Sequence, residues 1–234
     1  MQWKTISKPA ELAESRLIDA ILSDYFPINS SLPPERELAV RLGVTRPTMR
    51  EALQRLARDG WLDIRHGKST RVRDYWQEGN LAVLSAIARR EQGLPDGFIS
   101  NLLMVRMLMA PAYARLAVEN TPGAVLECLT GAITLPEDQH AFANFDFRLH
   151  HTLTVASHNP VFTLILNGFR DLYSQIGSLY FSTPVTRRHS REYYRSLEKA
   201  VSAKDAAQAE ALTRTVMQES LGLWQGALEN GGNR

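Results

Sequence analysis

The stretch GVTRPTMREALQRLARDGWLDIRHGKSTRVRDYW, Gly43 to Trp76, places its reactive groups in a repeating order. Arg46, Arg50 and Gln54 recur every four residues, so a helix would carry them on one face. Met49, Leu53, Leu56 and Ala57 then fall on another face, at the spacing of a packed stripe. A guanidinium offers parallel N–H donors that match guanine O6 and N7 in a major groove. Thr45 and Thr48 stand at the helix start, within reach of phosphates. Arg36 precedes them on its own short helical pattern. His66, Gly67 and Lys68 follow at the tip of a hairpin pattern, where glycine lets backbone approach a minor groove. Taken alone, an arginine-faced amphipathic helix is more often a solvated surface. The combination of short helix, glycine turn, arginine-faced helix and basic hairpin is what points to nucleic acid.

A second constellation lies in NFDFRLHHTL. Asp146 and His150 are four apart and share a helix face, a spacing that suits two metal ligands. A complete site needs more protein ligands than these two. The alternative is a packing role in which Asp146 bonds to His150. Enzyme chemistry is not expected: there is no G-x-S-x-G elbow, no phosphate-binding Walker loop and no H-E-x-x-H. Cys128 is the only cysteine, sits in an apolar helical pattern and has no base near it in sequence. Its solitude also excludes an internal disulfide and points to a reducing, cytoplasmic compartment.

The elements that must position these groups follow from the pattern. KPAELAESRLIDAILSDYF spaces Leu12, Leu17, Ile18, Ile21 and Leu22 as a helix. Pro33-Pro34 open a second helix and Gly43 ends it. Thr45 caps a third that runs to about Asp59, and Gly60 stops it. WLDIRHGKSTRVRDY then alternates as a β-hairpin with Gly67 in its turn. Beyond residue 76 about six or seven helices are expected, punctuated by GLPDG, NTPG, LPEDQ, HNP and STP. The fold class is mainly α: an N-terminal winged helix-turn-helix (α/β) at 1–74 and a C-terminal all-helical bundle at 75–234.

Charge supports that division. Among 234 residues the formal net charge is only +2. Between Pro33 and Arg73 there are ten basic residues against five acidic ones, a local surplus suited to a polyanion. The start, MQWKTISKPAELAE, lacks the apolar core of a secretory signal. No apolar run approaches the roughly 20 residues of a membrane helix, so no membrane partner is expected. ENGGNR at the end reads as disordered.

LPPERELAVRLGVTRPTMREALQRLARDGWLDIRHGKSTRV resembles the winged helix-turn-helix of the GntR family of bacterial transcription regulators. The run QRLARDGWLDIRHGK, with ISNLLMVR, NPVFTLILNGFRDLYSQIGSLYF and ESLGLW, is similar to that family's fatty-acid metabolism regulators. The resemblance implies that Arg36, Arg46 and Arg50 read bases or phosphates, that Thr45 and Thr48 contact phosphates, and that His66 and Gly67 form the wing tip. It implies a homodimer on double-stranded operator DNA, no cofactor, and long-chain fatty acyl-CoA as effector. Leu102, Leu103, Phe169, Leu172 and Tyr173 would line a tunnel for the chain, with Met104, Met107 and Met109 as adaptable filling. Tyr180, Tyr194, Ser220 and Trp224 would place polar or aromatic tips near the thioester, with Arg106 in the pocket region. Three departures stand out. Pro47 replaces a threonine, Val216-Met217 replace Tyr-Gly, and His150 replaces an aromatic. A related GntR class senses small carboxylates through a metal held by Asp, His and two further histidines. Here Asp146 and His150 would be the first two, and Tyr194 and Val216 stand at the others.

Overall fold

The structure, a computed structural model, describes residues 9–88, 94–95 and 97–231. The chain divides into two compact units, residues 1–93 and 94–234.

In the first unit, α1 (Pro9–Leu22) buries Ala10, Ala13, Leu17, Ile18 and Ile21. Leu12 stays exposed, outside that stripe. Pro34 is the N-cap of α2 (Glu35–Leu42). Its carbonyl already accepts the first helical bonds, while the missing proline N–H costs nothing at a helix start. Gly43 closes α2 with φ +68°, a left-handed cap that glycine adopts without strain. Helix α3 (Arg46–Asp59) buries Met49, Ala52, Leu53 and Leu56. Ala52, rather than the half-buried Ala57, completes the stripe, because α1 and α2 both pack on α3 and widen the covered arc.

Strands β1 (Leu62–Asp63) and β2 (Arg71–Val72) pair antiparallel, Leu62 opposite Val72. Ser31 adds a bridge to Arg71, so the segment before α2 braces the wing. Leu62 and Val72 point inward, whereas Ile64, expected on the same side, is exposed beyond the two-residue strand. Gly67 turns the hairpin at φ +71°.

The first compact unit runs on past residue 74. Trp61 is fully buried and its ring lies 4.8 Å from that of Tyr75, which opens α4 (Tyr75–Glu78). Helix α5 (Leu81–Ala88) buries Val83 and Ile87 and packs on α1. These aromatic and aliphatic contacts tie α4 and α5 to the winged helix.

The second unit holds α6 (Phe98–Asn120), α7 (Pro122–Thr130), α8 (Gln139–Ala156), α9 (Pro160–Gly168), α10 (Arg170–Tyr180), α11 (Pro184–Ser202) and α12 (Ala206–Gly231). That makes seven helices in this unit among the described residues. The sequence breaks at NTPG, HNP and STP are helix starts: Pro122, Pro160 and Pro184 each occupy the first turn. Asn159 and Thr183 cap their helices through side-chain oxygens. Helix α8 is central, packing on α6, α7, α9 and α10 with Phe142, Phe145, Leu149 and Leu153 buried. Helices α6 and α12 share a long contact. The expectation of disorder at 229–234 meets a helix that continues to Gly231; residues 232–234 lie outside the described ones. No helix among the described residues is long and apolar enough to cross a membrane.

Candidate functional site

The first candidate surface is built on α2, the turn at Gly43 and α3. Thr45 is the N-cap of α3: its Oγ1 accepts from the Thr48 amide at 3.3 Å and meets Thr48 Oγ1 at 2.8 Å. Pro47 sits in the first turn, where it removes a hydroxyl and no helical bond. With Met49, Leu53 and Leu56 anchored inward, Arg46, Arg50 and Gln54 are left exposed on the outer face, and Arg36 is exposed on α2. His66 and Gly67 are exposed at the wing tip, and a Cβ at Gly67 would meet nothing within 4 Å. Only the positive φ demands glycine there, so backbone can approach a partner closely.

Arg50 carries a contact that periodicity does not announce. Its Nε donates to Glu35 Oε2 and its Nη2 to Glu35 Oε1, each at 3.0 Å. The partners lie on different helices, fifteen residues apart, beyond any i,i+4 rule. Within α3, Glu51 and Arg55 form an i,i+4 ion pair, and Arg55 also reaches Glu14 at 3.1 Å, fastening α3 to α1.

The second candidate site is a pocket of about 100 Å³ in the helical unit. Leu102, Leu103, Arg106, Phe169, Tyr173, Tyr180, Ser220 and Trp224 all line it. Leu172 and Met109 line it too; Met104, expected beside them, does not, and is half exposed. Tyr194 is absent from the wall. Its ring is fully buried against Phe145, 4.8 Å away, and its hydroxyl is committed to Asp146. It supports the site from behind, contrary to the expectation of direct contact. Tyr113 is a wall residue that the sequence reading missed. The signal was available: Leu102, Arg106, Met109 and Tyr113 follow i, i+4, i+7, i+11 on one face of α6.

The walls are apolar except around one buried ion pair. Arg106 Nη2 donates to Asp146 Oδ2 at 2.6 Å. Tyr173 Oη donates to the same oxygen at 2.6 Å, and Tyr194 Oη donates to Oδ1 at 2.9 Å. Burial pushes the Asp146 carboxyl up, but the Arg106 charge and the hydrogen bonds outweigh it and hold the pKa down at about 2. Arg106 also lies 4.9 Å from the centroid of the Tyr173 ring. His150 is fully buried, with Nδ1 2.7 Å from Tyr113 Oη. Burial, and then the Arg106 charge, lower its pKa to about 3, so the imidazole is neutral near pH 7. Its Nε2 has no hydrogen-bond partner and stands 3.9 Å from Asp146 Oδ1, which favours a proton on Nε2 and leaves Nδ1 to accept from Tyr113. Ser220 accepts from Tyr180 Oη at 3.0 Å, and Trp224 Nε1 is buried without a partner.

This arrangement bears on a metal at Asp146 and His150. The two side chains are adjacent, but Arg106 Nη2 and the Tyr173 and Tyr194 hydroxyls take three of the roughly four acceptor sites of the Asp146 carboxylate. Among the described residues no cluster of three or more His, Cys, Asp or Glu side chains is placed to hold a metal ion. The buried charge of the carboxylate is already compensated by the Arg106 guanidinium.

Residues 9–72 match the model of the bacterial regulatory proteins of the gntR family, and residues 73–230 match the FadR C-terminal domain. The fatty acid metabolism regulator protein of Shewanella frigidimarina (strain NCIMB 400) is 44% identical over 220 residues, covering 93% of this chain and 91% of that one. The protein of the same description from Shewanella pealeana is 43% identical with the same coverage. Among solved structures, Lar, which controls expression of the Listeria monocytogenes agr system, superposes with a TM-score of 0.64 at 13% identity. It covers 95% of this chain and 98% of its own, a likeness of fold alone.

Proposed function

The chain belongs to the GntR family of bacterial regulatory proteins and carries a FadR C-terminal domain, and from that premise we propose a DNA-binding regulator of fatty-acid metabolism released by long-chain acyl-CoA. The observation that carries the reading is the apolar pocket in the helical unit, whose wall gathers residues from α6, α10 and α12 around one buried ion pair. An acyl chain gains from such walls by leaving water. Arg106, the Ser220 hydroxyl and the unpaired Trp224 N–H are the groups suited to the thioester and the start of the CoA portion. In this reading the protein is a cytoplasmic homodimer. Its two α3 helices enter successive major grooves of a pseudo-palindromic operator. It represses fatty-acid degradation genes and activates those of unsaturated fatty-acid synthesis.

The size of the space supplies the switch. About 100 Å³ is well below the roughly 300–1,000 Å³ of pockets that enclose drug-sized ligands. In this reading an acyl chain binds a widened form of the helical unit better than the narrow one. That differential affinity is the free energy available to shift the DNA-reading heads. The functional test is direct binding. In calorimetry, oleoyl-CoA should bind the purified chain at one equivalent while free CoA gives no signal. Leu103→Trp, which fills the space, should abolish binding and keep DNA affinity. Absence of oleoyl-CoA binding to a folded, DNA-competent protein would rule this function out.

A further inference from the structure

The atoms that join Arg50 to Glu35 decide what the guanidinium can still do. Arginine has five N–H donors in a planar fork. Glu35 takes the Nε–H and one Nη2–H, the side-on pair. Left over are both donors of Nη1 and the outer donor of Nη2. The outer N–H bonds of Nη1 and Nη2 run parallel, away from the side chain, and are the pair that meets two adjacent acceptors such as guanine O6 and N7. Glu35 is the more sheltered partner, its side chain 26% exposed against 69% for Arg50. It stands at the first residue of α2, held by the helix. The carboxylate is therefore the anchor and the guanidinium the arm.

We propose that Glu35 is a specificity-determining positioning residue: it presents the end-on fork of Arg50 to a guanine edge and steers Arg50 away from phosphates. This rests on the DNA-reading function above. Two physical effects act together. A guanidinium fixed in plane loses less conformational freedom on meeting a base edge than one free to rotate. A carboxylate beside it repels a phosphate by like charge and leaves a neutral base edge unopposed, which favours one acceptor class by penalising the other. Arg46, on the same face of α3, has no carboxylate in ion-pair contact among the described residues, and so serves as the unbiased internal comparison.

The test uses the full chain, with duplexes selected from a random-sequence pool separately by the wild type, Glu35→Gln and Glu35→Ala. Fluorescence anisotropy then measures affinity for the wild-type-selected duplex and for a scrambled duplex across a salt series. Glu35→Gln keeps the size of the side chain and removes only its charge, so a folding defect is separated from a reading defect. Both variants should lose about tenfold in discrimination, the scale set by one bidentate base contact. They should select sites with one fewer specified guanine per half-site. Their salt slope on scrambled DNA should steepen by about one phosphate contact per head. Selection of the same guanines with an unchanged affinity ratio would overturn the proposal. So would equal tightening on both duplexes, which would reduce Glu35 to a counter-charge. A wild type that selects no sequence would sink the DNA-reading function itself, a failure distinct from these.

Discussion

Arg50 and Arg106 are both arginines bonded to a carboxylate, and their surroundings give the two pairs opposite roles. The Arg50–Glu35 pair is in water, with most of the guanidinium accessible. Arg106–Asp146 is enclosed, with side chains 20% and 6% exposed and two tyrosine hydroxyls closing the carboxylate. An exposed pair exchanges partners at little cost, which suits a group that must meet a ligand. An enclosed pair is dear to break, because removing either partner strands a charge in low dielectric. The difference teaches that residue type alone does not assign role here; solvent access does.

The largest expected effect follows from breaking the enclosed pair. Asp146→Ala should cost about 3–5 kcal/mol of stability in urea unfolding, leaving Arg106 buried and unpaired. Glu35→Ala should cost less than about 1 kcal/mol. Equal costs would erase the contrast. A second effect is read by acid. Asp146 has its folded pKa depressed to about 2, so its contribution is present above the usual carboxylate range and is lost as pH falls through about 2. The depression amounts to roughly 2 kcal/mol. His150 is depressed to about 3, so the unfolded chain takes up its proton first and stability declines from about pH 6.5 down to about 3. The double variant Tyr113→Phe/His150→Phe should flatten the stability curve between pH 6.5 and 4 and leave the steeper loss below pH 4. An unchanged slope would contradict the buried neutral imidazole.

Smaller effects sharpen the exposed side of the comparison. Arg46→Ala should weaken operator binding by about 1–3 kcal/mol while thermal unfolding moves by no more than about 0.5 kcal/mol. A stability loss larger than the binding loss would place Arg46 in the fold instead of the interface. Glu37→Ala removes an exposed i,i+4 partner of Arg41. It should change stability by less than about 0.5 kcal/mol and leave DNA affinity within twofold.

How much of this was legible in the sequence differs between the two units for a physical reason. The winged helix is assembled from local signals. Pro34, Gly43, Thr45 and Gly60 punctuate the helices, and a 3.6-residue stripe fixes which face Arg46 and Arg50 present. Resemblance, not periodicity, gathered Leu103, Phe169, Ser220 and Trp224. They are brought to one wall because α12 packs on α6 while α8 packs on both α6 and α10, contacts that no local pattern encodes. Tyr194 shows the limit. Its role depends on which way one hydroxyl turns, and that hydroxyl is committed to Asp146 Oδ1 at 2.9 Å. Likewise the Glu35–Arg50 fork bridges two helices, so nothing in either helix alone reveals it. The change of texture near residue 74 lies close to where the two family matches meet, at 72/73, while the burial of Trp61 against Tyr75 and the packing of α5 on α1 carry the first compact unit on to Gly93.

The measurement that tests the account most directly is a titration of oleoyl-CoA into the wild-type protein bound to its selected duplex, followed by fluorescence anisotropy. The account predicts release of the DNA by oleoyl-CoA, no release by free CoA, and no release from the Leu103→Trp variant. A complex that stays intact at saturating oleoyl-CoA would contradict it, because the helical unit would then have no hold over the arginines.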